Sequence, residues 1–275
     1  MICAWKELLG ILPPWLALEV DRSKQEKLQE LRLRINAAPE LVYASGNWYL
    51  NRKISREDLN HCVNLASRYS PWAAQSVSRG YITAPGGHRI GLCGDAVIKE
   101  GEIIGIKNLR SLCIRVARDF PGIGLNAAKY TGSILLLGPP GSGKTTLLRD
   151  MIRQIANRET VAVVDEREEL FPEYFPPGKC MDILTGCEKA VGIGMLLRTM
   201  GPSCIAVDEI TAEEDTEALI HAGWCGVRLL ATAHAASVKD LIARPIYHRL
   251  ASSKLFDHIL VLHRDKSWRE ERMDL

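Results

Sequence analysis

No stretch of this 275-residue chain stays apolar for the roughly 20 residues a helix needs to cross a bilayer, so no membrane-spanning helix is expected. The opening Met1-Ile2-Cys3-Ala4-Trp5-Lys6-Glu7 brings charge in early and holds no continuous signal-peptide core. None of the eight cysteines (3, 62, 93, 113, 180, 187, 204 and 225) lies at C-x-x-C spacing, and Cys204 sits inside an apolar run. That spacing argues against a zinc module or disulfide framework and for buried, reduced thiols. A cytoplasmic, reducing compartment is therefore expected. A net charge of +2 supplies no global field for a nucleic-acid partner and leaves only local basic patches open. Internal repeats, low-complexity tracts and long linkers are also missing. Length and a 47% hydrophobic, 25% charged composition fit one large globular domain or two modest ones.

What is present is a phosphate-binding signature. Gly138-Pro139-Pro140-Gly141-Ser142-Gly143-Lys144-Thr145 fits G-x-x-x-x-G-K-[ST], the P-loop or Walker A element. A triphosphate is compact and highly negative, so backbone N–H groups must wrap it closely. Glycine permits that approach because no Cβ intervenes. A helix starting near Lys144 and continuing through Thr146 would aim its positive end at the phosphates. Lys144 would reach the β- and γ-phosphates, and Thr145 would hold Mg²⁺. The context agrees: Ser133–Leu137 reads as a buried strand, and Thr146–Ile155 has apolar residues at helical spacing.

Other apolar strands end in polar residues. Cys204–Val207 delivers Asp208 and Glu209, a Walker B-like pair on a strand taken to neighbour the P-loop strand. Asp208 is the candidate metal ligand, and Glu209 the candidate to polarise the attacking water. Val161–Val164 delivers Asp165 and Glu166. Glu166 would help position water or metal, or else form a surface salt bridge with Arg167. Arg228–Ala233 ends beside His234, with Thr232 and His234 on one face to sense a γ-phosphate or to serve the fold. Arg198 precedes the Walker B strand, either contacting a neighbouring site or bracing the sheet edge. Arg89, Arg110, Arg115 and Arg118 are surface ion-pair residues or arginines reaching a γ-phosphate across a gap.

Strands at 133–137, 161–165, 204–208, 228–232 and 258–262 separated by helix-length segments predict an α/β fold with a largely parallel sheet. Upstream, residues 5–35 carry helical patterning, with the charged run 21–34 read as a solvated helix face. A hairpin is expected over 41–50, turning at Ser45-Gly46-Asn47. Ser55 and Asp58 predict a capped helix running towards Ser70-Pro71. Strands at 80–84, 88–94, 95–98, 102–107 and 112–116 follow, the first two joined by Pro85-Gly86-Gly87. A boundary near Phe120-Pro121-Gly122 gives an α+β amino-terminal domain, 1–122, and a P-loop domain, 123–275.

Several of these segments resemble one family. Arg79-Gly80-Tyr81-Ile82-Thr83-Ala84-Pro85-Gly86-Gly87-His88-Arg89-Ile90-Gly91-Leu92-Cys93-Gly94 looks like the signature of the stage III sporulation protein AA family. So do Leu31–Arg34, Ile106–Asn108, Ile114–Val116, Val163–Arg167 and Ile205–Ala218. That family is similar to the AAA-type secretion and type IV pilus ATPases. The resemblance implies a RecA-like core binding ATP and Mg²⁺, with Asp165-Glu166 as an acidic box and Thr232-Ala233-His234-Ala235 as a histidine box. It further implies a homo-hexameric motor docked, without a span of its own, on membrane proteins of a channel between mother cell and forespore. Two departures stand out: Thr211 follows Ile210 where secretion ATPases often carry Arg, and the cysteine-based metal module of some of them is missing.

The expected activity is Mg²⁺-dependent ATP hydrolysis driving movement between domains or subunits. ATP is favoured over GTP because no Asn-Lys-x-Asp motif occurs. A nucleic-acid-dependent RecA-like ATPase is the alternative, using Arg52, Lys53, Arg56 and Arg68 with Trp48, Tyr49 and Tyr69. A P-loop kinase or a non-catalytic scaffold is a third possibility. No arginine-rich lid follows the core strands, which counts against the kinase.

Overall fold

Leu28, Leu31 and Leu33 are buried, while Glu30, Arg32 and Arg34 are not. That alternation makes Leu28–Arg34 a strand, β1, where helical patterning suggested a solvated helix face. The charges that mimic a helix face sit on one side of the pleat and pair there: Arg32 with Glu30 at 2.7 Å and Arg34 with Glu40 at 2.6 Å. The structure, a computed structural model, describes residues 1–23, 27–68 and 80–272. Two short helices precede the strand, α1 (Trp5–Gly10) and α2 (Pro14–Asp21), burying Leu8, Leu16 and Val20.

The expected hairpin forms from β2 (Glu40–Tyr43) and β3 (Gly46–Tyr49). Its turn is Ala44-Ser45, one step earlier than expected, because Gly46 already pairs with Tyr43. Helix α3 (Arg56–Ala66) starts with a reciprocal cap: the Asp58 N–H donates to Ser55 Oγ at 3.1 Å and the Ser55 N–H to the Asp58 carboxylate at 2.9 Å. It ends at Ala66; Tyr69, Ser70, Pro71 and Arg79 lie outside the described residues. The block expected as five short strands is three: β4 (Tyr81–Ala84) and the long antiparallel pair β5 (His88–Lys99) and β6 (Glu102–Arg115). Register shifts after Cys93 and after Val97 let the pair continue where the sequence pattern breaks. The sheet order is β3-β2-β1-β6-β5-β4, antiparallel throughout.

The most distinctive segment of this half, Pro85–Arg89, is structural. Gly86 has φ of 82°, and a Cβ there would lie 2.4 Å from Ala4 Cβ. His88 is fully buried. Its Nε2–H donates to the Ala4 carbonyl at 2.9 Å, and its Nδ1 accepts the Ala117 N–H at 3.1 Å. These partners fix the neutral Nε2–H tautomer. Burial pushes the His88 pKa below its ordinary value. Below the unfolded pKa near 6.5, the unfolded chain therefore takes up a proton that the folded chain refuses, and stability falls. Between about pH 7 and pH 5.5 the melting temperature should drop, and His88→Asn should flatten part of that slope. An unchanged slope would remove His88 from the account.

Residues 120–272, apart from Glu173–Phe175, form a second compact unit. Its strands are β7 (Ile134–Leu137), β8 (Val161–Asp165), β9 (Met181–Thr185), β10 (Cys204–Val207), β11 (Arg228–Ala233), β12 (His258–Leu262) and β13 (Trp268–Glu271). Their order is β13-β12-β7-β11-β10-β8-β9, parallel except for β13. Helices α4 (Lys144–Ile155), α5 (Lys189–Thr199), α6 (Glu213–Trp224), α7 (Val238–Ile242) and α8 (His248–Ser252) complete the unit. Two apolar cores form: Leu135 and Leu137 lie in one, Ile134 and Leu136 in the other. A strand buried on both faces explains the continuous apolar runs. The β9 and β13 strands were not expected. Both lie at sheet edges and are at most half-buried, so they lack such runs.

All eight cysteines are free. Cys62 and Cys204 are buried, and burial pushes both thiols up to about 12. Cys93, Cys180 and Cys225 are exposed, contrary to the expectation of buried thiols. Among the described residues no helix is long and apolar enough to cross a membrane.

Candidate nucleotide site

The site grows from the carboxyl ends of β7, β8, β10 and β11. Gly138–Gly143 links β7 to α4, and Gly143 caps the helix with φ of 98°, a left-handed conformation that glycine adopts without strain. Lys144 is buried; its Nζ donates to the Gly138 carbonyl at 2.7 Å and to the Pro139 carbonyl at 3.2 Å. Burial lowers its pKa, and Asp208 and Glu209 counter that effect. Ser142 is 1% exposed, and its hydroxyl has no hydrogen-bond partner among the described residues. A buried hydroxyl left unpaired is costly, so a cradle that keeps one fits a ligand with acceptor oxygens. The donors fit the triphosphate: an ammonium, the free N–H groups of a three-turn helix, and an unspent hydroxyl.

The carboxylates arrive by a route the sequence did not show. The strand carrying Asp208, β10, is not adjacent to β7; β11 stands between them. Thr145 Oγ1 nonetheless donates to Asp208 Oδ2 at 2.7 Å. Thr232, fully buried on β11, donates to Asp208 Oδ1 at 2.6 Å, and its Oγ1 accepts the Glu209 N–H at 2.8 Å. Thr145 and Asp208, a hydroxyl and a carboxylate together, are the hard oxygen donors Mg²⁺ prefers.

His234 joins the two halves. Lys144 Nζ lies 3.1 Å from its Nδ1, and its Nε2 lies 3.0 Å from Glu209 Oε1. The ammonium can only donate, so Nδ1 accepts and Nε2–H donates to the carboxylate. Arg167 Nη1 donates to the other Glu209 oxygen at 3.0 Å. Glu209 itself has φ of 54°, a left-handed backbone that a non-glycine residue holds only under constraint.

The acidic pair on β8 splits. Asp165 is 2% exposed, and its carboxylate accepts the N–H groups of Glu169, Leu170 and Phe171, each at 2.9 Å. Burial raises its pKa, and the amides oppose that rise. Asp165 thus staples the loop after β8. Arg149 on α4 helps, donating to the Leu170 carbonyl at 2.5 Å and the Glu169 carbonyl at 2.7 Å. Glu166 pairs with buried Lys189 at 2.5 Å, not with Arg167 as the surface-bridge alternative supposed. It lines the same pocket as Asp208 and Glu209. Asp165→Ala should cost about 1–3 kcal/mol in denaturant unfolding, with Asp165→Asn recovering part. Equal stability in all three would show that the loop does not depend on this carboxylate.

Lys189 and Lys266, whose Nζ donates to the Gly141 carbonyl, were missed. Arg167 was read only as a possible partner of Glu166, whereas it pairs with Glu209; nothing local marks Lys189 or Lys266, because each meets the site from a distant part of the chain. Of the other arginines, Arg198 belongs to the second unit, and Arg89, Arg110, Arg115 and Arg118 to the first. Arg198 is exposed in the last turn of α5. Arg89 stacks over Tyr81 at 4.1 Å, Arg110 pairs with Asp95 at 2.7 Å, and Arg115 sits 3.8 Å from Glu30. Arg118 is half-buried in the same unit.

The fold has solved counterparts. It is similar to the Legionella pneumophila ATPase DotB, with TM-score 0.60, 16% identity, and 94% of this chain and 79% of that one covered. It is also similar to the pilus retraction motor PilT with bound ADP, with TM-score 0.59, 16% identity and coverage of 93% and 77%. Sheet order and cradle together define a RecA-like P-loop fold, shared with those two proteins. The sequence narrows this further. Stage III sporulation protein AA of Bacillus subtilis (strain 168) is 35% identical over 266 residues, covering 90% of this chain and 86% of that protein. The family model for sporulation stage III, protein AA matches residues 14–271, and the chain belongs to that family.

Proposed function

We propose that the chain is a Mg²⁺-dependent ATP hydrolase that works as a homo-hexameric motor. It would turn hydrolysis into movement between neighbouring copies, or between an amino-terminal domain (1–122) and an ATPase domain (123–275). Its place would be cytoplasmic, on the mother-cell side, docked on membrane proteins of a sporulation channel. One observation carries the enzymatic part: Lys144, Thr145, Asp208, Glu209 and His234, from three separate segments, converge in one hydrogen-bonded cluster joined through Thr232.

Lys144 would exchange the Gly138 and Pro139 carbonyls for phosphate oxygens. The amides and hydroxyl of 141–146 would hold the rest of the phosphate chain. Thr145 and Asp208 would hold Mg²⁺, which when bound neutralises charge on the phosphate oxygens. Glu209 would orient the attacking water and accept its proton, with His234 and Arg167 fixing the carboxylate. Glu166, tied to Lys189, would border that water.

The test is ATPase rate against protein concentration, with mass measured in parallel. A steep rise as a six-subunit species forms supports a shared site, and full turnover by a stable monomer removes the ring mechanism. A second reading draws on Trp48 and Tyr49, 66% and 62% exposed on β3. Arg52 instead stacks on Trp15 at 4.4 Å, and Tyr69 is outside the described residues. Stimulation by single-stranded DNA or RNA that fades with salt would favour a nucleic-acid-dependent ATPase.

A further inference from the structure

Lys266 belongs to no motif, yet it lies across the phosphate-binding loop. It sits in the turn 263–267 between β12 and β13. That turn is closed on itself: the His263 N–H donates to the Ser267 carbonyl at 2.9 Å and the Lys266 N–H to the His263 carbonyl at 3.1 Å. Asp265 Oδ1 accepts the Ser267 N–H at 3.0 Å and the Ser267 hydroxyl at 2.6 Å. Within this frame Lys266 has φ of 71°, a left-handed conformation in which glycine would be free of strain.

Its stem passes 3.6 Å from where a Cβ on Gly143 would lie, and its Nζ donates to the Gly141 carbonyl. At the start of the turn, the Leu262 carbonyl oxygen lies 2.8 Å from where a Cβ on Gly138 would sit. One hairpin end therefore touches the loop at both ends and at its crest. The carbonyl that Lys266 holds belongs to the same peptide group as the Ser142 N–H, which donates to the Pro139 carbonyl at 3.2 Å and would exchange it for a phosphate oxygen. A cation on the oxygen polarises that group and makes its N–H a stronger donor. It also adds positive charge beside a loop built for a polyanion.

We propose that Lys266 is a positioning residue for nucleotide binding: from the β12–β13 turn it fixes the Gly141–Ser142 peptide and adds a second cation, after Lys144, for the phosphate chain of a nucleoside di- or triphosphate. The inference rests on the nucleotide-binding reading above. It concerns ground-state binding, so Lys266 lowers KM and Kd rather than raising kcat.

The test uses the full chain and its Lys266→Met, Lys266→Arg and Lys266→Gly variants. Affinities for Mg-ADP and Mg-ATP are measured by fluorescent-nucleotide titration at low and high salt, beside steady-state ATPase kinetics and melting temperature. Lys266→Met keeps the stem without the charge and should weaken both nucleotides about 5–10-fold, raise KM in step and flatten the salt dependence. Lys266→Arg should bind within about threefold of wild type, because its charge and donors remain. Lys266→Gly should melt no lower than wild type yet bind as weakly as Lys266→Met. Wild-type affinity in Lys266→Met overturns the inference. Equal loss in the Met and Arg variants overturns it as well, since shape and not charge would then be what matters. In either case Lys144→Ala still separates the failures: if it abolishes binding, the nucleotide reading stands and only Lys266 is wrong. If wild type binds neither nucleotide, both fail.

Discussion

Glu209→Gln is expected to bind Mg-ATP within a few-fold of wild type and to hydrolyse it roughly 10²–10³ times more slowly. The substitution keeps the size of the side chain and one acceptor oxygen. That oxygen can still receive the His234 Nε2–H, which lies 3.0 Å away in the native protein. What is lost is the negative charge and with it the ability to take a proton from water. The Arg167 contact at 3.0 Å is also weakened, since a neutral amide attracts a guanidinium less than a carboxylate does. Single-turnover hydrolysis beside equilibrium binding separates the two effects. Unchanged turnover would mean that Glu209 does not activate the water, and no turnover in either protein would support a non-catalytic scaffold. A parallel loss of binding would mean that Glu209 supports the cradle and not the chemistry.

Lys144→Ala acts on the other half of the site and should weaken nucleotide binding itself by roughly 10–100-fold. In the native protein the ammonium is held by two loop carbonyls and an imidazole within 3.2 Å. A charge kept ready in place loses little freedom when a phosphate replaces those partners, so most of its attraction appears as affinity. Its removal also leaves the Gly138 carbonyl and His234 Nδ1 without a donor, so some loss of stability should accompany the loss of binding. Isothermal titration with Mg-ADP measures the first effect and thermal melting the second. Lys144→Ala binding like wild type would mean that phosphates do not sit in this loop.

The parts of the molecule legible in its sequence are those specified locally. The loop 138–145 is a contiguous motif, and β7, β8, β10, β11 and β12 are apolar runs because both their faces are covered. The reciprocal cap at Ser55 and Asp58 is equally local. Strand β1 was misread because Glu30, Arg32 and Arg34 alternate with leucines in a segment too charged to look like a buried strand. The helix-face and strand-face patterns differ there only in which residues share a side. Strands β9 and β13 were missed for the opposite reason, having little burial to leave a mark. In the site, residue types at strand ends were readable, but their partners were not. Asp165 and Glu166 look like one acidic pair in sequence, yet one holds backbone amides and the other a lysine 23 positions away. The residue His88 stood out as part of a signature, and its buried contacts with Ala4 and Ala117 tie that signature to folding.

The position of β11 has a consequence for how the metal site is kept in tune. Parallel neighbours lie about 4.8 Å apart, so the backbones of β7 and β10 are separated by about 10 Å, and Thr145 and Asp208 meet only by reaching inward over the strand between them. The sheet acts as a ruler whose middle division is a fully buried Thr232. Anything that widens or twists this interval, even a larger side chain at Ala231 deep under the site, changes the gap between hydroxyl and carboxylate without touching either.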